Sequence, residues 1–326
     1  MEQGIAFLPN TPNFLGMLFN ADIRKTQFLS LIGGTEGANA LITTNPEFPI
    51  SVDYAIGNPS QPEISESDAV GVASPTYIGR TQNKNVIQIF QEDVTVSRLR
   101  ERASGRLSGI NTAGETPEQD SEIAFQLMMH MEKMKRDMNW TAINGSFDDT
   151  GLTDSDEVLQ TRGIISAITS NVVDGSTIST SEDLTDAIDE MIKLAYDNGN
   201  FDTPVICCNS TNRLRISKAY HAENLTEVDR TRFVAGVAVE RIVTNFGQEV
   251  FIITDNDTPN SVIFLCDQPS VRPVFTTDKE TGEIITIKPL SQRGGNSYEI
   301  YSEFGLDHGA EKNHAKIIDI PAIGEY

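Results

Sequence analysis

The sequence predicts an α+β fold in which sheets dominate the last third. Three observations carry this. A long helical stripe from Ile123 to Met138 follows a strong start signal, Thr116-Pro117-Glu118-Gln119. A stiff apolar strand, VIQIFQEDVTVS (Val86–Ser97), precedes that helix. From Gly236 onward, short β-branched runs alternate with the turn clusters NFGQ, DNDTPN, DKETGE and SQRGGN, the pattern of strands joined by loops.

Composition narrows the classes. The chain has 326 residues, 38% hydrophobic and 22% charged, a balance that excludes wholesale disorder. Forty-seven acids against 25 bases give a net charge of -22, so the chain should repel nucleic acid. The charge is uneven: residues 146–200 carry twelve acids and two bases, whereas residues 80–110 carry six bases and three acids. These segments could complement each other between copies. No run approaches the roughly 18 apolar residues of a membrane span. The N-terminus has no basic start and contains Pro9 and Pro12, so it does not read as a signal peptide, and the expected compartment is the cytoplasm in which the chain is made. Cys207, Cys208 and Cys266 form no CxxC and read as small apolar fillers in strands.

The elements follow in order. Residues 1–45 hold apolar clusters (Phe14, Leu15, Met17, Leu18, Phe19; then Phe28, Leu29, Leu31, Ile32) broken at Gly33-Gly34 and Gly37. They read as an arm lying on something else, with the glycines as a hinge. Residues 46–82 contain five prolines and three glycines, yet alternate at Ile50–Val52–Tyr54 and Val70–Val72. An extended hairpin fits, with arms of about 12–15 residues reaching roughly 40–50 Å. Such a ribbon is marginal alone and needs a neighbouring molecule. In the strand that follows, Ile87 and Ile89 are expected on one face, as are Val94 and Val96, with a bend or bulge at Glu92-Asp93.

The helix is expected over 117–144, roughly 42 Å long at about 1.5 Å per residue. Thr116 caps it, Pro117 suits its first position and Gln119 completes a capping box. Ile123, Leu127, Met131, Met134 and Met138 form the stripe, widened by Phe125, Met128 and Met129. Trp140 falls in the buried pattern, and Asn144-Gly145 is the stop. Beyond an acidic loop, Gly163–Ile168 reads as a short strand and Ser181–Tyr196 as a helix ending at Gly199. Pro204–Cys208 reads as a buried strand, and Asn209 or Ser210 caps a helix through Tyr220. Strands follow at 237–239, 242–243, 250–253, 262–266, 271–275, 284–287, 298–304 and 316–320.

Recognisable chemistry is missing. The sequence has no GxxxxGK[ST], GxGxxG, GxSxG or HExxH, and Gly33–Gly37 lacks the strand–turn–helix context of a nucleotide loop. His308 and His314 lie in a stretch that looks extended, which would hold them roughly 20 Å apart, too far to share a metal. His130 reads as a packed or rim residue of the helix. The acid pairs Asp148-Asp149, Asp154–Asp156 and Asp255–Asp257 do not fit a calcium loop. No catalytic, cofactor-binding or metal-ligating residue is expected, and the chain does not read as an enzyme. Limbs without a place to pack argue for a protein that completes its core in an assembly.

The run RTQNKNVIQIF (Arg80–Phe90) followed by DVTVS (Asp93–Ser97) resembles the matching stretch of tailed-bacteriophage major capsid proteins with the Hong Kong 97-type fold. The likeness extends to the capped long helix, a Gly163-Ile164 opening, GVAVERIVTNFGQEVFII (236–253) and EFGLDHGAEKNHAKI (303–317). It spans most of the chain, and the order of elements adds more weight than any one motif.

The resemblance implies an N-terminal arm (1–45), an extended loop (46–84) and a peripheral domain (85–150 and 268–312, with the spine helix 117–144). An axial domain (151–267 and 313–326) completes the chain. It implies hexamers and pentamers closing an icosahedral shell around double-stranded DNA. Further implied partners are a portal, a separate scaffold or decoration protein, and the packaged DNA by weak non-specific contact, with no membrane. The place implied is the virion, assembled in the host bacterial cytoplasm. No long charged helical extension precedes the arm, which favours a separate scaffold over proteolytic maturation. Residues 46–82 contain no lysine and Lys84 sits at the loop base, so non-covalent contacts are expected. Inter-subunit contacts are expected at Tyr54, Ile56, Asn58, Val70, Val72, Tyr77, Arg80, Arg98, Arg100 and Arg102. The alternatives are an encapsulin-like cargo shell of the same fold and, from the strand-rich last third, a carbohydrate-binding virion protein.

Overall fold

The computed structural model describes residues 26–34, 39–54, 61, 63–71, 77–97, 121–199, 201–222, 233–234, 237–238, 240–243, 249–279, 281–290 and 295–322. The architecture is α+β, with two main sheets sharing one long helix.

The six-stranded sheet runs β5-β15-β11-β6-β10-β9, with β5 at Val172–Asp174, β9 at Glu240–Val243, β10 at Glu249–Thr254 and β15 at Ala315–Ile318, while β7 (Phe233–Val234) and β8 (Val237–Ala238) pair on their own. At its centre lie β6 (Pro204–Cys208) and β11 (Ile263–Asp267), each buried at all five positions. Continuous apolar runs suit strands covered on both faces. The two-residue period sorts their side chains between two cores. Ile206, Cys208, Ile263 and Leu265 face one core, and Val205, Cys207, Phe264 and Cys266 the other. All three cysteines are thus free and buried, as fillers.

The first core is closed by α5 (Ser181–Asn198) and α6 (Ser210–Ala222). Thr180 Oγ1 accepts from the Asp183 N–H at 3.2 Å while the Asp183 carboxylate accepts from the Thr180 N–H at 2.8 Å. This reciprocal pair starts α5 and orients Leu184, Ile188, Met191, Ile192 and Ala195 onto the sheet. Asn209 caps α6 as expected, its Oδ1 accepting from the Asn212 N–H at 2.9 Å.

The five-stranded sheet is organised by β14 (Gly295–Asp307). β4 (Gln88–Ser97) pairs along one side, from Phe304↔Gln88 to Gly295↔Ser97. The other side is shared by β13 (Ile285–Leu290) and β12 (Arg272–Phe275), and β1 (Leu41–Ile42) joins β12 in parallel. Between the sheets lies α3 (Ser121–Asn144), about 36 Å long at 1.5 Å per residue. Met134, Met138, Ala142 and Ile143 share one core with Phe90 and Phe304 of the five-stranded sheet and Val205 and Phe264 of the six-stranded one. The start signal at Thr116–Gln119 lies outside the described residues.

The N-terminal cluster differs from the expected arm. α1 (Gln27–Ile32) buries Phe28, Leu29, Leu31 and Ile32 in this chain's own core. Thr26 makes no side-chain cap, and remote residues cap instead. Asp255 Oδ2 accepts from the Phe28 N–H, and Asn139 Oδ1 from the Leu29 N–H, both at 2.9 Å. The Asn139 amide then donates to Asp257 Oδ2 at 2.7 Å. A carboxylate facing a helix N-terminus also meets the positive end of its dipole, while burial pushes the Asp255 pKa up. Gly33 and Gly34, with φ of 123° and 64°, end α1 in place of the expected hinge.

Four further expectations change. Gly163–Ile168 is a helical turn, α4 (Ile164–Ala167), because the i,i+4 pair Ile164 and Ile168 reaches the core from one side of a turn. Its start abuts the end of α3, where a Cβ on Gly163 would lie 2.5 Å from Gly145 N. β4 pairs without interruption, so Glu92-Asp93 is no bulge, and Glu92 turns inward to His130 (3.1 Å) and Lys133 of α3. The break falls at Ile87: Ile87 is 3% exposed but Ile89 56%, and the two do not share a face. His308 and His314 are not far apart: a turn at Gly309 (φ 63°) brings His314 Nε2 to within 2.6 Å of the His308 carbonyl oxygen.

Two stability predictions follow from these buried groups. Asp255→Ala strands the Phe28 and Asp257 N–H groups and takes one acceptor from the Asn139 amide, so urea unfolding should show a loss of about 2–4 kcal/mol. Burial, with His314 and Arg162 nearby, lowers the His308 pKa to about 4, whereas the unfolded imidazole titrates near about 6.5. The unfolded chain therefore binds the extra proton. Stability is full above the unfolded value and falls as pH drops toward about 4, by roughly 3 kcal/mol in all. Melting curves across that window should show this acid limb, and His308→Gln should flatten it.

Candidate functional site: a projecting hairpin

β2 (Glu47–Tyr54) and β3 (Arg80–Val86) form a two-stranded sheet of their own. Its register runs from Glu47↔Val86 to Tyr54↔Arg80 with a bulge between Pro49 and Val52. The paired arms are eight and seven residues long, shorter than expected. Val70 ends a short helix, α2 (Glu66–Val70), where extended chain was expected.

The root is built tightly. Asn85, fully buried at the end of β3, uses its whole amide. Its Nδ2 donates to the carbonyls of Leu306 (2.8 Å) and Arg162 (3.2 Å). Its Oδ1 accepts from the N–H groups of Arg162 (2.8 Å) and Val86 (3.0 Å). One side chain therefore joins β3, β14 and the entry to α4. Beside it Phe48, Ile87 and Val274 form a small apolar cluster. Gly305 leaves the room: a Cβ there would sit 2.8 Å from Phe48 Cε1. Lys84 and Glu47 pair at 2.9 Å, exposed and worth little.

Outward, packing stops. Every residue whose burial is described from Gln61 to Gln82 is exposed. Of the expected contact residues, Tyr54 is 63% exposed, Val70 86% and Tyr77 90%, and Arg80 is also exposed. Val52, Ile64 and Ile78 add to this apolar surface at 50–69%. Ile56, Asn58, Val72, Arg98, Arg100 and Arg102 lie outside the described residues. Contiguous apolar surface left in water usually marks an interaction site, and these side chains are the candidates for one.

The rest of the surface offers little chemistry. Among the described residues no three His, Cys, Asp or Glu side chains gather as a metal site, and no helix is long and apolar enough to cross a membrane. His130 sits at the helix rim against Glu92. Burial alone would raise the Glu92 pKa, but Lys133 and His130 hold it below the usual carboxylate range. Trp140 is 53% exposed, not buried: the stripe turns away from it while Met138 and Ala142 point inward. Met128, 62% exposed, likewise leaves the stripe. Sequence reasoning missed Asn85, whose signal is one amide at the end of a polar strand just before an apolar one.

The family model of the SU10 major capsid protein matches residues 3–321. No curated protein sequence matches the chain. Among solved structures, it is similar to the SrpI encapsulin of Synechococcus elongatus PCC 7942 at 12% identity and a TM-score of 0.60, covering 97% of this chain and 95% of that one. It is also similar to the capsid of cyanophage P-SCSP1u, at 10% identity and a TM-score of 0.58, covering 94% and 92%. The capsid of Myoviridae phage XM1 matches at 11% identity and a TM-score of 0.56, covering 97% and 99%. At these identities the likeness is one of fold.

Asn85→Ala removes two donors and two acceptors from the root. Limited proteolysis should cut within residues 46–84 at least tenfold faster than in the wild type, and unfolding should show a loss of about 2–4 kcal/mol.

Proposed function

The chain belongs to the SU10 major capsid protein family and is a tailed-phage major capsid protein, and from that premise we propose how it builds a shell. Copies gather in sixes and fives, and each lays its hairpin on the next. Tyr54, Val70, Tyr77 and Arg80 make these contacts, extended by Ile56, Asn58, Val72, Arg98, Arg100 and Arg102. The observation that carries this is the contrast within one ribbon: a root where both atoms of the Asn85 amide are bonded, and an outer part in which every residue whose burial is described, from Gln61 to Gln82, is exposed. An isolated ribbon gains too little burial to stand in water.

The body divides into a peripheral part (85–150 and 268–312) and an axial part (151–267 and 313–326). In support, β4, β12, β13 and β14 fall in the first and β5, β6, β9, β10, β11 and β15 in the second. The arm is then the stretch before α1. Contacts are non-covalent, the one lysine within residues 46–84 being Lys84, held by Glu47 at the root. The shell encloses double-stranded DNA by weak, non-specific contact, in keeping with a net charge of -22. A portal and a separate scaffold or decoration protein complete the head, which forms in the host cytoplasm. An encapsulin shares the fold, so the enclosed cargo distinguishes the readings: nuclease-sensitive DNA for a phage head, protein for an encapsulin.

Tyr54 and Arg80 face each other in register, so a two-residue Asn-Gly turn can replace residues 55–79 without disturbing the root. This variant should melt within a few degrees of the wild type yet close no shells under electron microscopy. A subunit that unfolds, or shells that close normally, would remove the hairpin from the assembly role.

A further inference from the structure

Where α3 parts from β4, a groove of about 330 Å³ opens, lined in part by Gln88, Glu92, Met134, Asp137 and Trp140. Two of these groups are unsatisfied. Trp140, the chain's single tryptophan, holds its indole 53% exposed on a helix whose Met138 and Ala142 are fully buried. The Asp137 carboxylate makes no hydrogen bond or ion pair among the described residues, although Lys133 and Arg136 lie near enough to be felt. Glu92, across the groove, is already engaged by Lys133 and His130. Partial burial raises the Asp137 pKa, and the pull of Lys133 and Arg136 in the other direction does not cancel it.

An open indole face beside an unpaired carboxylate is a site for a guanidinium. The flat cation stacks on the ring and forks to the two carboxylate oxygens. Lysine matches neither feature as well.

The sequence contains one dense source of such groups: Arg98, Arg100, Arg102 and Arg106, four arginines within nine residues of a chain with net charge -22. The run begins just after β4 ends at Ser97. β4 runs on from Gln91, which lines the groove, to Ser97, roughly 20 Å along the strand. A second copy carries the same run without that constraint. Most of one acidic copy repels another, and this run is the part that attracts. We propose that Arg98, Arg100 or Arg102 of a second copy seats in this groove, its guanidinium over Trp140 and against Asp137. The proposal rests on the shell-forming reading above and names one of its contacts.

The test uses full-length subunits. Asp137→Cys subunits are mixed with Arg98→Cys, Arg100→Cys or Arg102→Cys subunits, assembled and oxidised. The native cysteines are buried and do not compete. At least one mixture should give a disulfide-linked dimer on a non-reducing gel, and no variant should do so alone. In parallel, Asp137→Arg should cut shell yield at least tenfold with an unchanged melting temperature. Combining it with Arg98→Glu, Arg100→Glu and Arg102→Glu in the same chain should restore the yield. Shells that form from the mixtures without any cross-linked dimer overturn the proposal and leave the shell reading intact. So does a normal yield from Asp137→Arg, or a disulfide confined within one chain of the Asp137→Cys/Arg102→Cys double variant. If wild-type subunits form no shells at all, the shell reading itself fails.

Discussion

A two-stranded ribbon has two faces and no interior, and this constraint governs the molecule. Backbone pairing between β2 and β3 holds the strands together, but burial is what stabilises folded chains, and the ribbon buries almost nothing beyond Phe48 and its neighbours. Its geometry must be imposed at one end by the body and completed at the other by something outside the chain. Asn85 does the first. Four hydrogen bonds from a buried amide fix direction as well as position, because each demands its own angle. A purely apolar root would attach the ribbon while leaving its bearing loose.

The body must then be stiff enough to hold that root. Its stiffness comes from a helix packed between two sheets, with Met134 and Met138 touching side chains of both. Buried polar junctions add to it. Asp255, Asn139 and Asp257 tie α1, α3 and the end of β10 (Glu249–Thr254) together. His314 ties the two crossings between sheets: its Nδ1 accepts from the Asp267 N–H at 3.1 Å and its other nitrogen meets the His308 carbonyl. The first junction joins segments more than a hundred residues apart, and in both, loss of one partner leaves buried groups stranded.

Much of this was legible in the sequence. Periodicity placed α3, α5, β6 and the late strands, because amphipathic stripes and buried runs are properties of neighbouring residues. Asn209 announced its helix by type alone. Several misses share a physical cause: they were decided by partners distant in sequence. α1 looked too fragmented for a core until Asp255 and Asn139 capped it. Gly163–Ile168 has strand-like residues, but its packing against the end of α3 selects a helical turn. Trp140 fits a buried pattern by residue type, yet its angle on the helix points it outward. The candidate surface was legible as a polar, proline-broken, exposed stretch. Asn85 was not, since the four groups it satisfies become neighbours only after folding.

The central claim is that the ribbon is anchored by its own chain but covered by another. Amide hydrogen exchange on free subunits and on assembled particles tests this most directly. The account predicts that α3 and β14 are protected in both states. The outer half of the hairpin, from Val52 to Gln82, should exchange within seconds when free and become at least a hundredfold slower in the particle. Strong protection of that segment in the isolated subunit, or no change on assembly, would contradict it.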